Sequence, residues 1–177
     1  MKEVMSWIKP LAVALVVAFV VRTFLFVPVI VDGESMEPTL QNENRMIVNK
    51  LLYYIDEPER GDIVVFHATE ERDYIKRVIA VPGDRLQYKD DILYVNGKKV
   101  DEPYLEPLKE QAEPLTYDFT LEELTGETEV PEGKVFVMGD NRQYSQDSRD
   151  IGFVDESKIV GTTSVVYYPF TDIRTVD

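Results

Sequence analysis

The sequence predicts a mainly β domain with short helical pieces, preceded by one long apolar helix at the N-terminus. Two observations indicate this class. From residue 45 to residue 168, short runs of β-branched and aromatic residues alternate with Gly, Pro, Asn and Asp, a pattern typical of strands separated by turns. Before them, 18 of the 21 residues from Leu11 to Val31 are apolar. At 177 residues, the chain can form one domain with a core and a small insertion.

The apolar N-terminal segment allows three interpretations. A cleaved signal peptide has a shorter apolar run and a small-x-small site after it, whereas this run is followed by Asp-Gly-Glu. A core helix of a small domain is rarely apolar on every side. A helix of 21 residues spans about 31 Å, close to the hydrocarbon thickness of a bilayer. We therefore predict a transmembrane anchor over residues 10–31, with Pro28 at or just beyond the end of its helix.

Charged residues predict the orientation of this anchor. Lys2 and Lys9 precede it, and basic residues favour the cytoplasmic side. Arg22 lies nearer the C-terminal end of the apolar run, where its side chain can reach the interface. We expect a single-pass protein of the cell membrane, with residues 1–9 in the cytoplasm and residues 32–177 outside it.

Seven runs after the anchor predict β-strands. Two of them are separated only by Asn96-Gly97, which predicts a hairpin with a type I′ turn. The runs are Arg45–Val48, Ile63–Phe66, Tyr74–Val81, Ile92–Val95, Lys98–Val100, Lys134–Met138 and Gly161–Tyr168.

An acidic segment interrupts these strands. Residues 101–132 contain eleven acidic residues, one Lys and four prolines, and we expect an exposed excursion or a small subdomain there. Thr120-Leu-Glu-Glu matches a capping box, and Gly126 can end the short helix that follows it. We favour a solvated acidic loop over a small subdomain and predict no site there.

The composition excludes several classes of function. The chain has 33 acidic and 19 basic residues and a net charge of −14, so it is a poor partner for nucleic acid. Anionic lipid headgroups also repel it, and membrane attachment must therefore be hydrophobic. Without cysteine, disulfides, thiolate zinc sites and Cys nucleophiles are excluded. One histidine, His67, excludes a multi-His metal site, and we predict neither a metal nor a cofactor.

Three segments contain candidate catalytic residues: 33–40, 74–84 and 139–149. Lys76 lies in an apolar β run, and burial lowers the pKa of an ammonium group because the charged form loses its hydration. A lysine made neutral in this way can take a proton from a serine hydroxyl. The alternative is a strand lysine that points to solvent. Since strands alternate and neither face of this run is polar, at least one of Lys76 and Arg77 has apolar neighbours.

Ser35, in the first segment, is a poor nucleophile without a base, and an isolated serine is usually a loop residue. His67 follows a strand with no obvious orienting partner and is a weak candidate for that base. The third segment, rich in Asp, Arg and Ser, is a salt-bridged loop or an ion site, but EF-hand spacing fails because it lacks Gly at the sixth position and Glu at the twelfth. Residue chemistry alone does not join the three segments.

Together, however, the segments resemble the conserved boxes of type I signal peptidases of the Gram-positive, Bacillus-like branch. Ser-Met-x-Pro-Thr-Leu, Tyr-Ile-Lys-Arg-Val-x-x-x-Pro-Gly-Asp and Gly-Asp-Asn-Arg-x-x-Ser-x-Asp-Ser-Arg occur in that order after an apolar segment. The resemblance implies an antiparallel β catalytic domain, with a variable acidic insertion over about residues 89–132, and a membrane-bound serine endopeptidase. Such an enzyme removes signal peptides from secreted preproteins after small-x-small sites. Its implied partners are signal peptides and the lipid bilayer, and the oligomeric state stays open.

The resemblance also implies residue roles. Ser35 corresponds to the nucleophile and Lys76 to its general base. Ser145 matches a serine that hydrogen-bonds and orients the lysine. Four further residues match supporting positions: Asp147 and Arg149 as an ion pair beside the site, and Asp140 and Arg142 as further support.

The implied oxyanion and substrate sites involve the same loop. Some relatives carry a serine two positions before the nucleophile, and here that position is Gly33. The oxyanion would then be bound by the Ser35 backbone N–H, with a Gly33 N–H or water as a second donor. The family binds its substrate as an added strand, with shallow apolar pockets for small residues. The candidate lining residues are Val31, Met36, Leu40 and Ile75, for which core packing is the alternative.

Two other functions remain open. A self-cleaving, repressor-type Ser-Lys protease shares the catalytic pair but needs no anchor and contains its own scissile bond. A non-enzymatic, membrane-tethered β domain has no need of Lys76 or Ser145.

Overall fold

The computed structural model describes residues 2–20, 26–50, 57–109 and 114–176 of the chain. It begins with helix α1, Lys2–Val20. Across these described ranges, no helix has both the length and the apolarity needed to cross a bilayer. The anchor predicted over residues 10–31 falls partly on residues 21–25, which include Arg22 and lie outside the described residues.

The end of the predicted anchor is a strand rather than a helix. β1, Phe26–Ile30, pairs antiparallel with β2, Arg45–Asn49. Pro28 lies in the middle of β1, where a helix would lose a hydrogen bond. β1 is the outermost strand of its sheet, and an edge strand tolerates a proline. The predicted anchor helix therefore cannot extend to residue 31, because residues 26–30 form this strand.

Antiparallel strands make up most of the described chain, together with short helices. The helices after α1 are α2, Glu106–Lys109, α3, Leu121–Thr125, and α4, Ser148–Ile151, with 3₁₀ turns at Pro103–Leu105 and Glu156–Lys158. The remaining strands are β3, Ile63–His67; β4, Asp73–Ala80; β5, Leu86–Lys89; β6, Ile92–Val95; β7, Lys98–Val100; β8, Phe119–Thr120; β9, Lys134–Met138; β10, Val154–Asp155; β11, Ile159–Tyr168; and β12, Arg174–Thr175.

These strands form two sheets. The larger has the order β1-β2-β11-β3-β4-β9-β10, with β12 paired to β11, and the smaller has the order β7-β6-β5-β8. All seven strand runs predicted from the sequence are confirmed. The predicted hairpin is confirmed as well, since Asn96 and Gly97 have φ angles of 53° and 73°, the positive values that a type I′ turn requires.

The acidic segment 101–132 contributes β8 to the small sheet and buries Phe119, Leu121 and Val130 in the core, so the prediction of a solvated loop is wrong. β5 to β8 bury an apolar face against Phe136 and Met138 of the larger sheet. The capping box at Thr120 and the left-handed Gly126 are both present at the ends of α3. The buried residues contributed by this region include Tyr88, Leu93, Val95, Phe119, Leu121 and Val130. The hairpin of β6 and β7 was predicted, but the eleven acidic residues of 101–132 obscured the apolar residues of that segment.

Strand β4 lies between β3 and β9, but it pairs with β9 only in its second half. Its residues 73–77 pair with β3, and its residues 77–80 pair with β9. Among the described residues, the first half therefore has no strand on its β9 side. We call residues 73–76 the unpaired half of β4, because their β9 side has no partner strand in the described ranges. Lys76 lies at the end of this half, and Arg77 lies where pairing with β9 begins.

Candidate active site

The loop between β1 and β2 carries Ser35. Its ends are joined by backbone hydrogen bonds from Val31 N–H to Asn44 O at 2.8 Å and from Glu43 N–H to Val31 O at 2.9 Å. Met36, next to the serine, is buried in the core between this loop and the larger sheet. Asn141 donates its backbone N–H to Ser35 O at 3.1 Å. The loop is thereby held from the core and from the 139–149 segment.

Lys76 reaches Ser35 from β4. Its Nζ lies 2.6 Å from the Ser35 Oγ, and its side chain sits with only 3% of the residue exposed. Burial lowers the pKa of Lys76 from 10.5 to about 8, against the opposing effects of Asp147 and Asp140. An amine with this pKa is neutral in about a tenth of the molecules at pH 7 and can accept the hydroxyl proton.

A groove of about 370 Å³ leads to this pair. One wall is formed by Val29 and Ile30 of β1, and the other by the unpaired half of β4. Two strands that are far apart in the order of the sheet thus border one groove, so the larger sheet curls around it. The lining residues are Val29, Ile30, Val31, Asp32, Gly33, Glu34, Ser35, Met36, Val65, Asp73, Tyr74, Ile75, Lys76, Tyr144 and Gln146.

Known proteins resemble this chain over nearly its whole length. Residues 4–168 match the family model described as signal peptidase, peptidase S26. The chain belongs to this signal peptidase family. Signal peptidase I of Bacillus caldolyticus is 56% identical over 163 residues, which cover 91% of this chain and 90% of that protein. Signal peptidase IB of Staphylococcus aureus strain COL is 46% identical over 179 residues, covering 98% and 94%.

A solved structure supports the same assignment. The crystal structure of a signal peptidase I from Enterococcus faecalis V583 has a TM-score of 0.58 and 42% sequence identity, covering 61% of this chain and 97% of that one. The family match and these relatives identify the chain as an enzyme of the signal peptidase I type and a hydrolase. The antiparallel β fold predicted from the sequence is confirmed.

The signal peptidase boxes also contribute a buried ion pair. Arg77 binds the Asp140 carboxylate through Nε at 3.0 Å and Nη2 at 2.9 Å. Both side chains are almost fully buried, with 1% and 0% exposed. Asp140 also accepts a hydrogen bond from Thr39 Oγ1 at 2.5 Å. One carboxylate therefore joins β4, beside Lys76, to the loop that carries Ser35.

The predicted ion pair of Asp147 and Arg149 is confirmed. Arg149 Nε and Nη2 each lie 2.8 Å from one oxygen of Asp147. The same carboxylate accepts the Gly139 N–H at 3.0 Å and caps α4 through the Arg149 N–H. Burial works to raise the pKa of Asp147, but Arg149 and the Gly139 N–H hold it below its usual value. Asp147 is therefore an anion close enough to Lys76 to raise the pKa of that lysine.

Arg142 has a partner that the sequence did not indicate. The resemblance implied a supporting role for it beside Asp140, but its Nη2 contacts Glu102 Oε1 at 2.5 Å. Tyr88 and Tyr104 donate their hydroxyls to the same Glu102 oxygen at 2.7 and 2.8 Å. Glu102 is one of eleven acidic residues in its segment, and no sequence signal distinguishes it. The prediction of no functional residue in the insertion missed this contact.

Ser145 does not make the predicted hydrogen bond to Lys76. Among the described residues its buried Oγ meets no partner at ordinary hydrogen-bond geometry, although its hydroxyl helps to lower the pKa of Asp147. It packs against Gly139, where an added Cβ would lie 2.2 Å from Ser145 Oγ and 2.4 Å from Ser35 O. The missing side chain of Gly139 thus lets the serine approach the nucleophile loop.

Two other predicted contributions are corrected. The Gly33 N–H donates to Asn42 Oδ1 at 2.9 Å and is not free to bind an oxyanion. Leu40 is fully buried in the core and does not line the groove, whereas Val31, Met36 and Ile75 do. Leu40 lies one helical turn after Met36, and the Leu40 N–H bonds to Met36 O at 2.9 Å, which turns its side chain into the core.

His67 gains a partner that its sequence context did not indicate. Its Nδ1 lies 2.6 Å from Asp73 Oδ1, with both side chains more than half exposed. Lys76, not His67, is the titratable group in hydrogen-bond contact with Ser35. Throughout the described ranges, no three His, Asp or Glu side chains come together to hold a metal ion.

Proposed function

We propose that this chain is a membrane-bound serine endopeptidase that removes N-terminal signal peptides from secreted preproteins through Ser35 and Lys76. The single observation that supports it most is the 2.6 Å contact between Lys76 Nζ and Ser35 Oγ at the end of a substrate-sized groove. The family membership gives the class of reaction, and this contact supports Ser35 and Lys76 as the residues that perform it.

The reaction begins with neutral Lys76. Its Nζ takes the hydroxyl proton as Ser35 Oγ attacks the scissile carbonyl carbon, and the carbonyl oxygen becomes an oxyanion. The Ser35 backbone N–H, which no described residue engages, is the donor for that oxyanion. The Lys76 ammonium then protonates the leaving amine, and an ester on Ser35 remains. Water hydrolyses this ester with Lys76 again as the base.

The groove supports strand addition as the mode of substrate binding. The outer edge of β1 and the unpaired half of β4 both present backbone groups to it. An extended peptide lying between them gains main-chain hydrogen bonds on two sides. Val31, Met36 and Ile75 are buried or half-buried apolar residues of the lining, and they leave room for small side chains. This arrangement favours small-x-small sites.

The N-terminal segment supports attachment to the cell membrane. We propose that the anchor begins near residue 10 and ends before β1, with the N-terminus in the cytoplasm and the catalytic domain outside. Exposed apolar side chains near the groove favour the same surface. Ile30 of the groove wall aligns with Arg45 and Tyr168 across three neighbouring strands, and Phe170, 75% exposed, packs on Tyr168. Such a patch suits a bilayer interface.

Cleavage of a preprotein in detergent tests the proposal. Wild type, Ser35→Ala and Lys76→Ala are compared, with circular dichroism to verify that each variant is folded. The expected result is cutting after a small-x-small site by wild type alone. A folded Ser35→Ala protein that cuts at the wild-type rate excludes the proposed mechanism. An inert wild type leaves a tethered binding domain as the better interpretation, and cleavage of the chain itself would indicate a self-cleaving protease.

A further inference from the structure

Tyr104, in the acidic insertion, lies between two buried arginines of the catalytic boxes. Its ring centroid is 4.0 Å from the Cζ of Arg77 and 5.9 Å from the Cζ of Arg142. Its hydroxyl donates to Glu102 Oε1 at 2.8 Å and lies 3.3 Å from Arg142 Nη2. The ring is therefore fixed at its hydroxyl end while its face covers Arg77.

Arg77 connects this tyrosine to the catalytic pair. It directly follows Lys76 on β4, and it holds Asp140, which in turn binds Thr39 of the nucleophile loop. A buried guanidinium over an aromatic face is attracted to the ring. The ring also covers one face of Arg77, whose side chain is only 1% exposed. Both effects hold the guanidinium against the Asp140 carboxylate.

We propose that Tyr104 is a positioning residue for catalysis, whose ring keeps Arg77 paired with Asp140 and so fixes the charge that Lys76 meets. This inference rests on the proposed function. The charged groups that act on Lys76 are Asp147, Asp140 and Arg149, all from the 139–149 segment. The insertion thus acts on the catalytic lysine through Arg77, without touching substrate.

The sign of the effect follows from the charges. Asp140 raises the pKa of Lys76, and Arg77 partly neutralises Asp140. Without the ring, Arg77 gains water and freedom to leave Asp140, and more of the negative charge faces the lysine. The pKa of Lys76 then increases. A smaller fraction of the lysine is neutral at a given pH, and the rate falls at neutral pH more than at pH 10.

The test is the pH dependence of kcat/KM for preprotein cleavage by the full chain in detergent. Tyr104→Leu removes the ring, and Tyr104→Met, with a flexible side chain, serves if the leucine variant does not fold. Tyr104→Phe keeps the ring as the conservative rescue. Tyr94→Leu, at a half-buried tyrosine of β6 in the small sheet beside the turn that carries Tyr104, is the matched control for a generally weakened insertion. Urea unfolding of each variant measures stability separately.

In Tyr104→Leu we expect the acid limb of the kcat/KM profile to move to higher pH. The expected shift is about half a unit to one unit, given the strength of nearby charges. Tyr104→Phe returns the limb to its wild-type position, and Tyr94→Leu leaves it there. A limb that stays in place while Tyr104→Leu loses only stability overturns the inference and leaves the proposed function intact. An inactive wild type overturns both.

Discussion

Lys76 Nζ lies 2.6 Å from Ser35 Oγ, although the two residues are 41 positions apart in the chain. Ser35 is presented by a loop between the first two strands, and Lys76 by the unpaired half of β4. The two side chains meet because the larger sheet curls around the groove that both of them line. In the proposed mechanism neither residue is reactive alone, and their contact supplies the serine with a base in a buried setting.

Replacing Lys76 by methionine is expected to lower kcat by about 10²–10⁴-fold, the contribution of a positioned general base. Methionine has a similar length and no charge, so the protein is expected to stay folded. Lys99→Met, at a lysine whose side chain is 60% exposed, is the matched control and is expected to keep the wild-type rate. Single-turnover cleavage of a preprotein measures both. A Lys76→Met rate within a few-fold of wild type would exclude a base role.

The pH profile of wild-type cleavage is expected to rise through about pH 8, because Lys76 must be neutral and its pKa is about 8. Measured as kcat/KM between pH 6 and pH 10, the acid limb reports this group in the free enzyme. A rate that shows no sign of levelling by pH 10, as expected for a lysine of the ordinary pKa of 10.5, would contradict the lowered pKa.

The same pKa predicts a change in stability with pH. Below about pH 8 both the folded and the unfolded chain hold the Lys76 proton, and the folded state bears the cost of a buried ammonium. Between about 8 and 10.5 only the unfolded chain holds it, so the free energy of unfolding increases with pH. The contribution is at most about 3 kcal/mol. Urea unfolding at pH 7 and pH 10 is expected to show a larger increase for wild type than for Lys76→Met.

Most strands, turns and helix caps could be predicted from the sequence because they depend on local patterns. The Asn96-Gly97 turn and the Thr120 cap require only a few neighbouring residues. The strand β1 was missed because its apolar residues continue the apolar run of the helix, and only Pro28 marks the change.

The partners of the buried charged residues could not be predicted from the sequence. Asp140 and Arg142 occur two positions apart in one segment, yet the first binds Arg77 and the second binds Glu102. Partner choice is decided by how the small sheet packs on the larger one, a long-range feature without a local pattern. Residue chemistry alone also left Ser35 and Lys76 apart, and the family resemblance was needed to join them.

Asp140→Asn is expected to destabilise the protein by about 3–5 kcal/mol, because it leaves the buried Arg77 without its anion. It also weakens the bond to Thr39 that ties the nucleophile loop. Asp155→Asn, which removes the half-exposed pair with Lys134, is the control, with an expected change below about 1 kcal/mol. Equal effects of the two substitutions in urea unfolding would show that the Asp140 pair does not stabilise the fold.

Gly139→Ala is expected to lower kcat beyond any loss of folded protein. The added Cβ would meet Ser145 Oγ and the Ser35 carbonyl oxygen, so the nucleophile loop must shift. Gly161→Ala, on β11, crowds Asn49 O at 2.4 Å and is the control for a similar clash outside the site. Active-site titration with the folded fraction measured in parallel separates the two. If both variants lose activity only in proportion to folded protein, the contact at Gly139 does not position Ser35.

Two truncations separate the proposed anchor from the catalytic domain. A chain that starts at Phe26 keeps β1, its pairing with β2 and one wall of the groove, and it is expected to cleave a soluble peptide at a rate close to that of the full chain in detergent. A chain that starts at Asp32 lacks β1 and Val31, so the edge of β2 is exposed and the substrate loses the backbone groups of one wall. We expect it to lose most activity, through a higher KM and through association by the uncovered edge. Peptide kinetics and sedimentation of the two chains measure this difference.

Equal kinetics would mean that β1 takes no part in binding the substrate, and the peptide would then have to be held by β4 alone.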